Sequence, residues 1–357
     1  MNHFHTLTVR DLHRETRDAI SMAFDVPTAL EETFRFKQGQ FLTLRTTIDG
    51  EEVRRSYSIC SGIEDGEMRV AIKRVPGGVF STYANEQLKV GDSIEVMPPL
   101  GNFYTDLDPS RNGNYLLVAA GSGITPILSI AKTTLAAEPN SQVTVLFANR
   151  ATSSTMFRDQ LTDLKNQYMG RLNLIFIFSR EQQDIELYNG HIDAEKCGVL
   201  FARWVDAKSL DGAFICGPQV MTEIVRDELI EAGMPAANIH FELFSAVGSE
   251  RKRAERAAIP ASVNESDITV IRDGSVQQFT LKQNTSNLLD AGNEHGADLP
   301  FSCKAGVCST CKCKLLEGEV EMIANHALED YEVNAGYILS CQSIPLTEKI
   351  VVDYDQH

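Results

Sequence analysis

The sequence is poor in positive charge and contains no long apolar segment. Its 33 Lys and Arg residues against 49 Asp and Glu give a net charge of −16, which argues against nucleic acid or an anionic membrane surface as a partner. No stretch reaches the ~20 apolar residues that a membrane-spanning helix needs. The N-terminus, MNHFHTLTVRD, lacks the basic region and apolar core of a secretory signal. We therefore expect a cytoplasmic protein that binds neither nucleic acid nor a membrane.

The spacing of apolar residues changes along the 357-residue chain and divides it into distinct segments. Residues 1–110 contain short strand-like runs separated by turn signals, which predicts a small antiparallel β-barrel. Residues 111–247 alternate continuous apolar runs with helical stretches, which predicts an α/β domain with a parallel sheet covered on both faces. Residues 248–266 have almost no large apolar side chains and are interpreted as a linker. Residues 267–357 open with a strand–turn–strand pattern and a helix, and are predicted to form a third, α+β domain.

The strongest signal is a group of cysteines in the third domain. The spacing Cys303-x₄-Cys308-x₂-Cys311, with Cys341 further along the chain, is that of plant-type 2Fe–2S ferredoxins. Iron favours soft thiolate ligands in tetrahedral geometry, and Gly306 allows the loop to wrap closely around a cluster. These four cysteines are therefore predicted to hold a 2Fe–2S cluster.

Zinc is the alternative ligand for these thiols. Zinc sites usually pair two Cys-x₂-Cys motifs, whereas only one is present here. Cys313 fits no position in the spacing and is interpreted as a structural thiol. Cys60 and Cys197 have no partner pattern, and we expect them to be packing residues.

Two motifs in the first domain could bind a flavin. Arg55-Ser56-Tyr57-Ser58 ends a predicted strand and supplies a cation, a flat aromatic ring and a hydroxyl donor, with alternate side chains facing the same way. An ordinary hydroxyl-rich strand is the alternative interpretation. The second motif precedes a predicted short helix, where exposed N–H groups can bind a pyrophosphate. Its residues are Gly77, Gly78, Val79 and Ser81. A tight turn before a capped helix would have the same sequence.

The sequence GSGITP directly follows the apolar run YLLVAA in the second domain. It resembles the dinucleotide fingerprint G-x-G-x-x-G but has proline at the third glycine position. Proline is favourable in the first turn of a helix and Thr125 could cap that helix, so a nucleotide pyrophosphate is expected here. The predicted binding residues are Gly121, Ser122, Gly123, Thr125 and Pro126.

Cys216-Gly217-Pro218 ends a later strand of the second domain, at the edge where open α/β sheets bind ligands. A buried small residue followed by a turn is the alternative. The second strand ends in Arg150 without the carboxylate typical of an NAD site, and Ser179-Arg180 follows the third strand. Arginine suits a 2′-phosphate, so NADPH is predicted. Solvated loop arginines would give the same pattern.

In combination, these motifs resemble the ferredoxin–NADP reductase-like flavoproteins, and the third domain resembles the β-grasp fold of plant-type ferredoxins. The first resemblance implies that the barrel motifs hold the flavin and that the Ser179-Arg180 pair binds a 2′-phosphate. It also implies that Cys216 lies by the nicotinamide and that Phe244 packs near the flavin. The second implies cluster-ligand roles for Cys303, Cys308, Cys311 and Cys341.

The order of flavin module, nucleotide module and ferredoxin resembles the reductase components of multicomponent oxygenases. It is most similar to the reductase subunits of bacterial phenylacetyl-CoA epoxidases, which supply a di-iron oxygenase. The resemblance implies electron transfer from NADPH through FAD and the cluster to such an oxygenase partner in phenylacetate catabolism. Ser58, near flavin N5, and Cys216 would be the catalytic residues. FAD is preferred to FMN because both glycine motifs are present.

Other functions remain open at the level of the sequence. NADH-dependent reductases of other hydroxylases or of Rieske oxygenases share this layout, some of them with FMN. A chain with decayed nucleotide motifs would be a non-enzymatic redox carrier or sensor. Residues 265–357 contain 15 acidic and 6 basic residues, a net charge of −9, which suits docking on a basic partner surface. The alternative is that these acids only keep the domain soluble.

Overall fold

A computed structural model describes residues 3–244 and 264–356. One compact unit spans Phe4–Phe244, and a second contains the C-terminal residues from 264 onwards. The predicted linker at 248–266 lies outside the described residues except for 264–266, and the first strand of the second unit begins at Glu265. No helix in the described part of the chain combines the length and the hydropathy needed to cross a membrane.

The first unit begins with a six-stranded antiparallel sheet in the order β4-β3-β6-β1-β2-β5. Asp49 and Gly50 both have positive φ, as a tight β3–β4 hairpin turn requires. A bridge between Ile59 and Val70 joins the two sheet edges and closes the barrel. The elements are β1 (His5–Thr16), β2 (Ala19–Asp25), β3 (Phe41–Ile48), β4 (Glu51–Ser58), β5 (Met68–Lys73), α1 (Val79–Glu86) and β6 (Ser93–Val96).

The same unit continues with a five-stranded parallel sheet in the order β11-β10-β7-β8-β9. Val145 and Phe147 pack on one face, and Leu146 packs on the other. Burial on both faces explains the continuous apolar runs in the sequence. The elements are β7 (Asn114–Ala120), α2 (Ile124–Ala137), β8 (Gln142–Asn149), α3 (Arg158–Gln167), β9 (Leu172–Phe178), α4 (Ala194–Arg203), β10 (Gly212–Cys216), α5 (Gln219–Glu231) and β11 (Ile239–Glu242).

The second unit contains a mixed sheet in the order β13-β12-β18-β14-β16 and a two-stranded sheet of β15 and β17. Its core includes Ile268, Val270, Leu289 and Leu339, all nearly inaccessible to solvent. The elements are β12 (Glu265–Arg272), β13 (Ser275–Lys282), α6 (Leu288–Glu294), β14 (Lys312–Glu317), β15 (Val320–Met322), α7 (Asp330–Asn334), β16 (Tyr337–Leu339), β17 (Ser343–Pro345) and β18 (Lys349–Asp353).

Candidate functional site

The two residues predicted to be catalytic meet through a third residue. Ser58 ends β4, is almost fully buried, and donates a hydrogen bond from Oγ to Glu242 Oε2 at 2.9 Å. Glu242 ends β11 and is paired in register with Cys216, which ends β10. The packing of the barrel on the parallel sheet therefore brings Ser58, Glu242 and Cys216 to one place.

Burial determines the protonation of this group. Burial raises the pKa of Glu242 to about 7, and the hydrogen bond from Ser58 opposes that rise. Burial also raises the pKa of Cys216 well above its usual value, and the charge of Glu242 adds to the effect. Cys216 is thus a neutral thiol that can pack against a ligand but cannot act as a thiolate.

Sequence analysis did not identify Glu242. One sequence feature could have pointed to it: Glu242 is a carboxylate at the end of the apolar stretch HFELF. The ends of strands form the ligand-binding edge of such a sheet. Phe244, predicted to lie near the flavin, comes two residues later and is 44% exposed. An exposed aromatic side chain beside Glu242 is available to contact a ligand.

The two proposed flavin motifs lie side by side. The rings of Tyr57, on β4, and Phe80, on α1, are 5.6 Å apart at an angle of 42°. Arg55 is exposed, and its guanidinium donates to the Arg54 carbonyl at 2.7 Å. Ser56 Oγ lies 3.1 Å from the hydroxyl of Thr43 on β3. The strand thus presents an aromatic ring and a free cationic surface next to the beginning of α1.

The glycine turn before α1 is closed by a serine. Gly77 has φ of 74°, and a Cβ on Gly78 would lie 2.5 Å from Ser81 Oγ, so neither position suits a larger residue. Ser81 Oγ accepts from the Val75 N–H at 3.1 Å and donates to the Gly78 carbonyl at 3.3 Å. Ser81 therefore holds the turn, and the first N–H groups of α1, beside the exposed Val79, remain available to an anion.

The GSGITP segment forms a 3₁₀ turn that continues into α2. Gly123 occupies the cap position, and Thr125 lies inside the first helical turn, where its hydroxyl donates to the Ser122 carbonyl at 3.0 Å. The expected capping role of Thr125 is therefore wrong, because the 3₁₀ turn shifts the beginning of the helix. Pro126 lies in the first turn of the helix, as its missing N–H favours.

The two predicted nucleotide motifs contact each other. A Cβ on Gly123 would lie 2.1 Å from the Cys216 carbonyl oxygen, so this approach requires glycine. A Cβ on Gly217 would lie 2.6 Å from Met221 Cε, and Pro218 directly precedes α5. The residues predicted at the carboxyl edge of β7 and β10 therefore form one surface.

Lys73 is a second candidate site residue that the sequence analysis did not identify. It ends β5, and its Nζ lies 3.6 Å from the position that a Cβ on Gly121 would take. Burial lowers the pKa of Lys73, and the charge of Arg150 adds to the effect. Two cations at the glycine turn make it attractive to a pyrophosphate.

The ends of β8 and β9 bring the two predicted arginines together. The Arg180 N–H donates to the Arg150 carbonyl at 2.8 Å, and the Ser179 N–H donates to the Asn149 carbonyl at 3.0 Å. Both arginine side chains are exposed, and no carboxylate of the described residues pairs with either guanidinium. The buried Nδ2 of Asn149 also has no partner among the described residues. An anionic ligand at this edge would supply these groups with partners.

The four predicted ligand cysteines of the ferredoxin-like unit form two pairs. The thiols of Cys303 and Cys308 are hydrogen-bonded to each other, as are those of Cys311 and Cys341. In the described ranges, no group of three or more His, Cys, Asp or Glu side chains is arranged to bind a single metal ion. Two pairs of thiols correspond to two irons with two protein ligands each.

The backbone around these thiols fits an anionic cluster. The Ala305 N–H donates to Cys303 Sγ at 3.3 Å, and the Cys303 N–H donates to Cys308 Sγ at 3.4 Å. The hydrogen bond from Cys308 lowers the pKa of Cys303 to about 6 against the effect of burial, and neighbouring N–H groups contribute. Gly306 has φ of 76°, and a Cβ there would lie 2.8 Å from the Ala324 carbonyl oxygen. The loop thus favours the thiolate form of Cys303, the form that binds iron.

Three family models match consecutive parts of the chain. They are an oxidoreductase FAD-binding domain at residues 6–104, an oxidoreductase NAD-binding domain at 117–227 and a 2Fe-2S iron-sulfur cluster binding domain at 270–346. The chain is 46% identical over 355 residues to one of the subunits of 1,2-phenylacetyl-CoA epoxidase from Escherichia coli (strain K12), with 99% of both chains covered.

The chain belongs to this family of flavin- and iron–sulfur-containing oxidoreductases. Another member is the ferredoxin reductase component of 3-ketosteroid-9-alpha-monooxygenase from Mycobacterium tuberculosis, 35% identical with 99% of this chain and 97% of that protein covered. Phthalate dioxygenase reductase has the same fold, with a TM-score of 0.60, 25% identity and 98% of both chains covered. The predicted fold class, the three cofactor-binding domains and the oxidoreductase activity are confirmed, and the zinc alternative is removed.

Proposed function

We propose that the chain is an NADPH-dependent reductase that delivers electrons, through FAD and a 2Fe–2S cluster, to a di-iron oxygenase of the phenylacetyl-CoA epoxidase type. The observation that supports the catalytic part is the contact of Ser58 with Glu242 beside Cys216. The similarity to the epoxidase component of Escherichia coli supports the choice of partner. A cytoplasmic location belongs to this proposal, because a reducing compartment keeps cysteines such as the buried Cys60 and Cys197 as free thiols.

The residues of the site would bind and orient the two cofactors. Tyr57 and the N-terminus of α1 would hold the flavin, and Lys73, with the N–H groups of the Gly121 turn, would hold the nucleotide pyrophosphate. Ser58 would offer its hydroxyl to the flavin. When bound, the flavin accepts a hydride and releases single electrons, which the cluster carries.

An anaerobic titration with NADPH tests this proposal. We expect the flavin absorbance to bleach first and the cluster absorbance to fall after it, because the nucleotide reacts with the flavin. Purified protein that contains both cofactors but does not react with NADPH or NADH would contradict the proposal. Transfer to the oxygenase is tested separately, by adding the di-iron component and measuring epoxide formed per NADPH consumed. Equal coupling to a Rieske oxygenase would contradict the choice of partner.

NADPH is favoured over NADH by the charges at the end of β9. The first acid in that loop, Glu181, accepts hydrogen bonds from the Thr152 N–H at 2.7 Å and the Thr152 hydroxyl at 2.5 Å. Those hydrogen bonds lower its pKa, so Glu181 is an ionised carboxylate already engaged by the protein. The exposed Arg150 and Arg180 then remain as the groups that would face the nucleotide ribose and its 2′-phosphate.

Substitution of Arg180 by alanine is expected to lower kcat/KM for NADPH about tenfold and to leave NADH nearly unchanged. The reason is the loss of one charge-assisted contact to the 2′-phosphate, worth roughly 1.5–3 kcal/mol at most. Steady-state kinetics with both nucleotides measure it. Arg226→Ala is the matched control, since Arg226 is an exposed arginine of α5 paired with Asp227. A wild-type kcat/KM for NADH that equals that for NADPH would show the assignment to be wrong.

A further inference from the structure

Gln342 follows the fourth cysteine and connects both parts of the predicted cluster site. Its side chain is completely buried. Its Nε2 donates to the Lys304 carbonyl, in the loop between Cys303 and Cys308, at 2.9 Å. The same Nε2 lies 3.0 Å from the Cys341 carbonyl and 3.3 Å from Cys341 Sγ. One amide group therefore contacts the ligand loop and a ligand sulfur.

The chemistry of the neighbours fixes the orientation of this amide. The backbone carbonyls of Lys304 and Cys341 can only accept hydrogen bonds, so the NH₂ end of Gln342 must face them. The other end, Oε1, is buried and has no partner among the described residues. Such an unsatisfied acceptor is unfavourable in a protein interior and calls for an explanation. The two N–H hydrogens then serve three acceptors: one is donated to the Lys304 carbonyl, and the other is shared between the carbonyl oxygen and the Sγ of Cys341.

We propose that Gln342 sets the reduction potential of the cluster by donating an N–H···S hydrogen bond to Cys341. Reduction adds one negative charge, which spreads onto the ligand sulfurs. A donor at Sγ stabilises that charge, so it raises the potential relative to a site without the bond. The inference rests on the ligand role proposed for Cys341.

A structural role would account for some of the same contacts. Lys304 is held independently by Asp290 at 2.6 Å and has φ of 50°, and a Cβ on Gly306 would lie 3.1 Å from Gln342 Cγ. In this alternative, Gln342 would serve only to hold the loop in place. The two roles differ in their consequence, because a loop fastener affects cluster occupancy and a sulfur donor affects the potential of clusters that are present.

Gln342→Met separates the two roles, since methionine has a similar length and no N–H. The full chain with both cofactors is titrated electrochemically, and the reduced cluster is followed by EPR. We expect a more negative potential, equivalent to about a tenfold change in the ratio of oxidised to reduced cluster, or 59 mV for one electron. Ser343→Ala is the control, because it removes a buried hydrogen bond to the Leu339 carbonyl without touching sulfur, and its potential should not change. An unchanged potential in Gln342→Met at full cluster occupancy would overturn the proposal.

A measurement on the wild-type chain keeps the proposal testable if the variant does not assemble a cluster. Protein labelled with ¹⁵N in glutamine side chains is reduced and examined by pulsed EPR. A ¹⁵N coupling to the cluster is expected, because Gln342 is the one glutamine of the described residues with an N–H···S contact to a predicted ligand. Absence of that coupling in a protein with a normal cluster signal would contradict the inference. Absence of any cluster signal would instead contradict the proposed ligand set.

Discussion

Substitution of Cys311 by alanine is expected to remove the 2Fe–2S cluster. Electron delivery to cytochrome c, added as an artificial electron acceptor, should fall about 100-fold or more. Outer-shell changes at metal sites cost roughly 10–100-fold in affinity, and loss of a ligand exceeds that range. Reduction of the flavin by NADPH should continue, because Ser58, Glu242 and the glycine turns belong to the other compact unit. Iron content and cluster absorbance measure the cluster, cytochrome c reduction measures electron delivery, and stopped-flow flavin bleaching measures reduction of the flavin, all on one preparation.

Cys313→Ala is the matched control for Cys311→Ala. Both residues are buried cysteines two positions apart, and Cys313 packs in the core of the ferredoxin-like unit. Burial raises the pKa of Cys313, so it remains a neutral thiol. The control should retain its cluster. Retention of the cluster in Cys311→Ala would contradict the ligand assignment, and loss of the cluster in both variants would point to packing instead.

The sequence predicted those parts of the fold that local chemistry specifies. Continuous apolar runs between helical stretches require a sheet covered on both faces, which is the β7–β11 sheet observed. The Cys303–Cys311 spacing and the GSGITP segment are each short enough that their residues remain neighbours in any fold. Their places at a wrapped loop and at the N-terminus of α2 could therefore be anticipated.

The residues that were missed depend on contacts between distant segments. Glu242 is significant only because β11 lies beside β10 and because the barrel places Ser58 against it. Lys73 approaches Gly121 from another domain. Neither position forms a motif with its sequence neighbours. The role of Thr125 was misjudged for a local reason, since the 3₁₀ turn that moves the helix cap to Gly123 has no distinct sequence signal.

Ser58→Ala is expected to slow flavin reduction by NADPH roughly 100-fold, the usual effect of removing one positioned hydrogen-bond donor. The cluster should assemble normally, because Ser58 lies in the barrel. Anaerobic stopped-flow measurement of flavin bleaching gives the rate. Ser129→Ala is the matched control: this serine is also fully buried, and its hydroxyl donates to the Ser61 carbonyl at 2.7 Å. Comparable slowing in both variants would show a packing effect, and an unchanged rate in Ser58→Ala would refute its role.

Glu242 should make the same step depend on pH. Above its pKa of about 7, the carboxylate accepts the Ser58 hydrogen, so that hydrogen is withheld from a bound flavin. Below this pKa, protonated Glu242 can itself donate a hydrogen bond to the Ser58 hydroxyl oxygen. The hydrogen of Ser58 is then free for the flavin. The rate of flavin reduction is therefore expected to fall as the pH rises through 7.

Glu242→Gln should remove this pH dependence and keep the rate near the low-pH value of the wild type, because the amide preserves shape and hydrogen bonding without ionising. A folded-state pKa raised above the ordinary 4.5 also means that the wild type loses stability as the pH rises from 4.5 through about 7. The glutamine variant should consequently unfold at a higher temperature than the wild type at pH 8, and with a smaller difference at pH 5. A rate profile that keeps its inflection near pH 7 in Glu242→Gln would assign the ionisation to another group.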